Sequence, residues 1–210
     1  GEGINGEVHI GWDRITNEPV AIKSIPYEGD FKATLDPEAE AEIEIVKSIH
    51  HPSLVKTYDI FRDGDKKKVY MVMEYVPGGE LFARVANDGG SLVKEGDAIR
   101  IARDLLSGVI YLHSLNIVHR DIKLENILCT SEDRTKPIHI KLADFGLSSK
   151  LTGKEQSLQS LVGTSFYLAP EIITKQGYGS SVDAWAIGVV FYIVVSIWSS
   201  HPGFKSLITE

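Results

Sequence analysis

The stretch from His119 to Asn126, His-Arg-Asp-Ile-Lys-Leu-Glu-Asn, brings several polar and charged residues together. Apolar residues flank it on both sides, so its backbone should be buried while Asp121, Lys123 and Asn126 reach into one cleft. Any one of these residues alone would more simply belong to a solvated loop. In combination they predict a catalytic loop on a rigid base.

Two further motifs follow this loop along the chain. Asp144 begins an Asp-Phe-Gly motif and Ala169 begins an Ala-Pro-Glu motif. The order His-Arg-Asp, Asp-Phe-Gly, Ala-Pro-Glu resembles the protein kinase family. The resemblance implies transfer of the γ-phosphate of Mg-ATP to a protein hydroxyl. Phosphoryl transfer needs positioning and charge neutralisation more than covalent chemistry, and these residue types suit that need.

The same resemblance gives each polar residue a role. Asp121 would accept the proton of the substrate hydroxyl, and Lys123 would stabilise the transferred phosphoryl group. Asn126 and Asp144 would hold Mg²⁺, a hard cation that prefers oxygen ligands. His119 is expected to be a packed core histidine rather than a base.

A lysine ends the apolar strand Val-Ala-Ile-Lys at Lys23. By resemblance, Lys23 would bind the α- and β-phosphates of ATP and form an ion pair with a glutamate from the next helix. Several glutamates of that helix compete, and the family's spacing of ten residues before Pro52 selects Glu42. Glu38 and Glu44 are expected to be solvated.

Glycines at positions 1, 3 and 6 have the spacing of a hairpin whose backbone N–H groups approach a phosphate. Alone the pattern is weak evidence. A Rossmann interpretation would need a helix next, whereas the following residues alternate as a strand, and no Walker Gly-Lys-Ser/Thr is present. The resemblance assigns the phosphates to Gly1, Glu2, Gly3, Ile4, Asn5 and Gly6.

The predicted adenine and ribose pocket uses both halves of the chain. By the same resemblance, Val8, Ala21 and Leu128 would enclose the adenine, and Met73 would be the gatekeeper behind it. The backbone of Glu74 to Val76 would hydrogen-bond the adenine, and Glu80 could reach a ribose hydroxyl or a basic substrate side chain.

Substrate preference also follows from the resemblance. Lys123 and Thr164 resemble the serine/threonine branch of the family. Glu80 and Glu125 resemble the acidic pair that, in basophilic kinases, binds an arginine N-terminal to the phosphorylated residue. The run Tyr-Val-Pro-Gly-Gly-Glu-Leu-Phe from Tyr75 resembles the calmodulin-dependent kinase group and, within it, checkpoint kinases.

The segment between Asp144 and Glu171 contains many hydroxyl side chains and few apolar ones. It is interpreted as a mobile activation segment. Arg120 could pair with a phosphate placed there, and Ser157 and Ser160 are the candidate acceptors. An unmodified polar loop is the alternative, and charge alone does not choose between the two.

The elements that must position these residues follow from hydrophobic periodicity. We expect an α+β, two-lobed kinase-like fold, with a small antiparallel β lobe carrying one main helix and a larger, mainly helical lobe. Asp183 would order the catalytic-loop backbone or act as an N-cap. The predicted boundaries are lobes at 1–76 and 77–210; helices at 37–49, 97–115 and 184–198; strands at 69–76, 127–128 and 138–142; and a hinge at 77–79.

Compared with the family, the chain is expected to be a partial domain, trimmed at both ends. The strand that enters the glycine hairpin and the closing helices would be missing, and apolar surface on the last helix would be uncovered.

Composition restricts the class of protein. The 210 residues carry a net charge of −7 with a pI near 5.5, which argues against a nucleic-acid surface. A single cysteine, Cys129, cannot form an internal disulfide and fits an intracellular location. The longest apolar run, 184–198, is shorter than the roughly 20 residues that span a bilayer. No membrane contact is expected, and the oligomeric state stays open.

Three functions are therefore considered. The first is an ATP-dependent serine/threonine protein kinase, favoured because every catalytic position is filled. The second is a nucleotide-binding scaffold without turnover. The third is a truncated, inactive fragment that acts only through contacts.

Overall fold

The computed structural model describes residues 2–3, 6–26, 37–86, 93–151, 158, 160 and 162–198. Its N-terminal part is a five-stranded antiparallel sheet of β1 (Glu2–Gly3), β2 (Gly6–Trp12), β3 (Pro19–Pro26), β4 (Thr57–Asp63) and β5 (Lys68–Glu74). The strand order is β1-β2-β3-β5-β4. The β-branched residues of β3 and β5, two of the three inner strands, fit a pleated, half-buried surface.

Helix α1 (Pro37–Ser48) belongs to the same apolar cluster as the sheet. Pro37 suits the first helical position because its φ is already helical and its missing N–H would have no partner there. Ile43 and Val46 are buried in the cluster with Met71 of β5. This packing turns Glu42 towards the interior, whereas Glu44 stays exposed.

The C-terminal part is mainly helical. Its helices are α2 (Leu81–Ala86), α3 (Glu95–Ser114), α4 (Pro170–Ile173) and α5 (Ser181–Trp198). Apolar residues three or four positions apart bury one face of α3, and α5 packs beside it. The buried residues of α3 and α5 share one core with the sheet and α1.

Two short antiparallel pairs frame the stretch 119–126. β6 (Ile117–Val118) pairs with β9 (Ser149–Lys150), and β7 (Ile127–Cys129) pairs with β8 (Ile140–Leu142). Val118 and Ile127, at the two ends of the stretch, are fully buried. The loop thus lies on a buried base, as expected.

The α+β architecture, an antiparallel sheet with one helix followed by a mainly helical region, is confirmed. Some details differ from the predictions. β5 ends at Glu74 rather than residue 76, and β8 covers only 140–142. Helix α5 begins at Ser181, so Asp183 lies inside its first turn and is not its N-cap.

The helical periodicity of α3 predicted more buried residues than the structure has. Ile99, Leu106 and Ile110 fit the pattern but are 51%, 42% and 66% exposed. The buried face follows Ile101 and Leu105, since only one stripe of the helix can meet the core.

Among the helices of the described ranges, none is long and apolar enough to cross a membrane.

Candidate active site

Lys23 is the point where the sheet, helix α1 and the C-terminal part meet. Its Nζ lies 2.7 Å from Oε1 of Glu42 and 2.9 Å from Oδ1 of Asp144. The structure therefore brings Glu42 of α1 against Lys23, and Asp144 joins them from 121 residues further along the chain than Lys23. The arrangement holds a buried cation between two carboxylates, one from each part of the molecule.

The two carboxylates respond differently to this cation. Burial lowers the pKa of Lys23, but Glu42 and Asp144 raise it above its ordinary value. Burial raises the pKa of Asp144, but the Lys23 charge and the Gly146 N–H leave it below its ordinary value. Burial keeps the pKa of Glu42 raised despite the nearby lysine. Asp144 is therefore the carboxylate that stays ionised most readily.

Asp121 and Asn126 are both buried and are held together by the amide of Asn126. Its Nδ2 donates to the backbone oxygen of Asp121 at 2.8 Å and to Oδ2 at 2.9 Å. The amide nitrogen is thus turned towards Asp121, which leaves the amide oxygen as the atom that could bind a cation.

Lys123 and Thr164 complete the surroundings of the Asp121 carboxylate. Nζ of Lys123 lies 2.8 Å from Oδ2 of Asp121 and donates to Oγ1 of Thr164 at 2.8 Å. Oγ1 of Thr164 in turn donates to Oδ1 of Asp121 at 2.8 Å. The hydroxyl thereby links the activation segment to the catalytic loop.

Asp183 orders the backbone of this loop, which is one of the two roles predicted for it from the sequence. Its Oδ2 accepts the N–H of His119 and its Oδ1 accepts the N–H of Arg120, both at 2.9 Å. Nε2 of His113 lies 2.8 Å from Oδ2. Arg120 has a positive φ of 69°, so these bonds hold a backbone conformation that an L-residue rarely adopts.

His119 is a fully buried ring rather than a free base. Burial lowers the pKa of His119, which favours the neutral form. Nε2 lies 3.2 Å from the Ala143 oxygen, and Nδ1 accepts the N–H of Asp121 at 3.3 Å. The ring meets Phe145 edge-on with centroids 5.2 Å apart. These contacts fix the Nε2–H tautomer and a packing role.

The predicted cation ligands lie on adjoining backbone. The backbone N–H of Ala143 donates to the backbone oxygen of Asn126 at 2.8 Å. This bond brings the residue that precedes Asp144 against Asn126. No cluster of three or more His, Cys, Asp or Glu side chains suited to a metal occurs in the described residues. Mg²⁺ binds through one or two carboxylates, waters and substrate phosphates. One ionised carboxylate with one amide oxygen fits such a site.

Several residues of the predicted nucleotide pocket face one another across the sheet and the short strands. Ala21 pairs with Met73 between β3 and β5, and Leu128 forms a bridge with Glu80. Val8 is 39% exposed, and Val76 is buried. Of the glycine hairpin, Glu2 pairs with Glu7 and Gly3 with Gly6 in the backbone, while Gly1, Ile4 and Asn5 lie outside the described residues.

Glu74 makes a contact that its sequence does not suggest. The prediction used only its backbone, yet its Oε2 lies 3.0 Å from Nζ of Lys141 on β8 and accepts the Lys56 N–H at 3.3 Å. This ion pair joins the end of β5 to the strand that leads to Asp144.

The predicted substrate and regulatory residues lie at the surface. Glu80 and Glu125 are exposed: Glu80 directly precedes α2, and Glu125 is the middle residue of the turn Leu124–Asn126. Arg120 donates from NH1 to Oγ of Ser160 at 2.7 Å. Ser160 thus lies where a phosphate could meet Arg120, whereas Ser157 is outside the described residues.

Comparison with known proteins identifies the family to which the chain belongs. A family model described as "Protein kinase domain" matches residues 1–205. The chain belongs to the protein kinase family. The family uses ATP and Mg²⁺ in general, and its members act on proteins.

Curated relatives of this kinase domain are about equally similar to it. Myosin light chain kinase A of Dictyostelium discoideum is 37% identical over 195 residues, 93% of this chain and 63% of its own length. CBL-interacting protein kinase 32 of Oryza sativa subsp. japonica and CBL-interacting serine/threonine-protein kinase 3 of Arabidopsis thaliana are each 37% identical over 199 residues, 43% of their length. The chain therefore spans about half the length of these relatives.

These relatives agree with the resemblance to the calmodulin-dependent kinase group, whereas the resemblance to checkpoint kinases stays a prediction. Sequence reasoning used Thr164 only as a marker of the serine/threonine branch and did not anticipate its bonds to Asp121 and Lys123. His113 and Lys141 were missed altogether, because nothing in their local sequence points to partners 70 and 67 residues away.

Proposed function

We propose that this kinase domain transfers the γ-phosphate of Mg-ATP to serine or threonine hydroxyls of protein substrates. The observation that carries the proposal is the joint placement of Lys23, Glu42 and Asp144 within ion-pair distance. A buried carboxylate at Asp121, held by the side chains of Asn126, Lys123 and Thr164, supports it. A nucleotide-binding scaffold would not need Asp121 to be buried, oriented and linked to Thr164.

The chain's own residues divide the work as follows. Lys23, held by Glu42, binds phosphate oxygens, while Asp144 and Asn126 hold Mg²⁺. When bound, Mg-ATP supplies the activated phosphoryl group and a cation that neutralises its charge. The proposed lobes, 1–76 and 77–210, contribute Lys23 and Asp121 respectively.

Asp121 accepts the proton of the substrate hydroxyl. A carboxylate oxygen has two lone-pair sites, and Oδ1 uses one of them for Thr164. The second site can receive the hydroxyl of the substrate and later its proton. Lys123, whose Nζ lies 2.8 Å from Oδ2 of Asp121, would stabilise the transferred phosphoryl group.

We further propose that an arginine N-terminal to the target residue pairs with Glu80 and Glu125. Both residues are exposed; Glu80 directly precedes α2, and α2 packs against the turn Leu124–Asn126 that contains Glu125. An exposed acidic pair suits a planar guanidinium, which carboxylates bind in a bidentate manner. A net charge of −7 adds to the attraction for a basic peptide.

The test is phosphate transfer from Mg-ATP to a serine peptide with an arginine N-terminal to the serine. Asp121→Asn should lower kcat at least about 100-fold, because general-base catalysis contributes that much or more. Asp65→Asn removes the same charge from an exposed turn and should leave kcat unchanged. Equal activity of Asp121→Asn and the parent chain would refute the assignment. A tyrosine peptide that is phosphorylated equally well would refute the serine/threonine preference.

A further inference from the structure

Tyr178 contacts the activation segment through both its backbone and its phenol. Its N–H and oxygen form two hydrogen bonds with Leu158, of 3.0 and 2.7 Å. Its hydroxyl donates to the Ser160 oxygen at 2.7 Å and lies 3.4 Å from Oγ of Ser160. One residue thus holds two successive described positions of the segment, although it belongs to the turn before α5.

The same hydroxyl reaches the catalytic loop. NH1 of Arg120 lies 3.5 Å from it and donates to Oγ of Ser160 at 2.7 Å. Nε of Arg120 donates to the oxygen of Leu147, at the start of the activation segment. Because Arg120 directly precedes Asp121, this network of hydrogen bonds ends one residue from the proposed base.

The segment is attached to the catalytic loop a second time, four residues further on. Thr164 bonds both Asp121 and Lys123, as described above. Gly163 has a φ of 114°, and a Cβ there would come within 2.8 Å of the Arg120 oxygen. Ser160 and Thr164 are therefore both held against residues 120–123, and Tyr178 supports the contact at Ser160.

No phosphate is needed for any of these contacts, because every bond uses a hydroxyl, a guanidinium or the backbone. We propose that Tyr178 is a positioning residue that holds the activation segment on Arg120 while Ser160 is unphosphorylated. This rests on the proposed kinase function for its kinetic consequence, but the holding of the segment is independent of turnover.

Packing favours a clean test by Tyr178→Phe. The ring is 3% exposed and packs in a small apolar cluster with Ala169, Ile172 and Val182. Phenylalanine keeps that packing and removes only the hydroxyl. Tyr58→Phe is the matched control, since it removes a phenolic hydroxyl from a 54% exposed ring on the sheet.

The experiment compares the parent chain, Tyr178→Phe and Tyr58→Phe, each prepared both dephosphorylated and with phosphoserine encoded at position 160. Losing a hydrogen bond of ordinary strength should lower kcat/KM for the peptide about fivefold in the dephosphorylated Tyr178→Phe chain. The KM for Mg-ATP should stay unchanged. Phosphoserine should restore the activity, because a phosphate bonds Arg120 by charge and does not need the phenol.

Equal losses in both phosphorylation states, or no loss in either, would overturn the proposal, since a purely structural tyrosine would affect both forms alike. Amide hydrogen exchange of Leu158 provides the readout that does not require turnover. Its protection should fall in Tyr178→Phe and stay in Tyr58→Phe. Absence of transfer by the parent chain would reject the kinase function, and unchanged protection of Leu158 would reject the role of Tyr178.

Discussion

The Lys23 ammonium is a single buried charge that two carboxylates share. Glu42 lies slightly closer than Asp144, yet the pKa of Glu42 is raised by burial and that of Asp144 is lowered. Exposure explains the difference, because the Glu42 side chain is 7% exposed and that of Asp144 36%. Glu42 therefore needs the positive charge of Lys23 to be ionised. Asp144 stays partly solvated and can also bind a second cation.

Replacing Lys23 should consequently cost stability as well as activity. Lys23→Met leaves the Glu42 carboxylate buried without a cation, which should lower the free energy of unfolding by about 3 kcal/mol near pH 7. Without Lys23 the pKa of Glu42 rises further, so Glu42 takes up a proton as the pH falls. The deficit should shrink towards pH 5, as urea unfolding at several pH values would measure.

The double variant Lys23→Met/Glu42→Gln is the control for this prediction. It removes both charges, so it should recover a large part of the stability at neutral pH while transfer stays abolished. A double variant as unstable as Lys23→Met alone would contradict the view that the unpaired Glu42 causes the loss.

For single residues, the sequence predicted contacts where a motif is local or where the family fixes the spacing between two residues. Glu42 was selected among competing glutamates by its distance from Pro52, and it is the one that reaches Lys23. The bonds of Thr164 and the Lys141–Glu74 pair were beyond reach, because they depend on how distant segments approach in three dimensions.

Among the elements, the catalytic loop owes its shape to helix α5 rather than to its own sequence. Asp183 is 1% exposed and accepts two backbone N–H groups and the ring of His113. Asp183→Asn replaces one acceptor oxygen with an amide that faces a donor. The free energy of unfolding should fall by about 2 kcal/mol.

This loss can be compared with His113→Ala, which removes one of the three donors and leaves both backbone bonds. Thermal unfolding should therefore show the larger fall in Tm for Asp183→Asn, and kcat should fall with it because Arg120 and Asp121 are displaced. A greater effect of His113→Ala would show that the side-chain contact matters more than the backbone bonds.

The turn after β5 is fastened to β7, and two adjacent glycines there test the attachment. Gly78 N donates to the Cys129 oxygen at 2.9 Å, and Cys129 N donates to the Gly79 oxygen at 2.8 Å. A Cβ on Gly78 would come within 2.4 Å of the Cys129 oxygen, whereas one on Gly79 meets nothing within 4 Å. The close approach of the two backbones therefore requires a residue without a Cβ at position 78 but not at position 79.

Gly78→Ala should therefore be the more damaging change. It should lower the free energy of unfolding by about 3 kcal/mol, as expected of a forced backbone shift, and raise the KM for Mg-ATP. Gly79→Ala should cost only about 1 kcal/mol, for its φ of 68°. Urea unfolding of both variants measures the difference in stability. Equal losses of unfolding free energy would mean that backbone strain, and not the close contact of Gly78 with β7, determines the cost of the added Cβ.

Periodicity predicted α1, α3, α5 and β5 within a few residues, because each buries a regular apolar stripe. It did not predict which apolar residues of α3 face the core, since Ile99 and Ile110 fit a helical pattern as well as Ile101 does. Only the positions of α5 and of the short strands β6 and β8, which pack against α3, decide that.

At the scale of the whole molecule, ion pairs and backbone bonds join the sheet to the helical part. Lys23 meets Asp144, Glu74 meets Lys141, and the Leu142 N–H donates to the Ser53 oxygen at 2.8 Å. A nucleotide that binds Lys23 and, through Mg²⁺, Asp144 would add a further link between the same parts. Its binding should therefore stabilise both parts and not one alone.

Mg-ATP at about 100 times its Kd should raise the free energy of unfolding by about 2.7 kcal/mol, because a ligand that binds only the folded chain stabilises it by mass action. Hydrogen exchange should slow in β3 and in the β7–β8 pair together. Asp144→Asn should remove the part of this stabilisation that depends on Mg²⁺, and Asp65→Asn should keep it. Slowing confined to β3 would contradict a site shared by the two parts, since Asp144 and Asn126 would then take no part in binding.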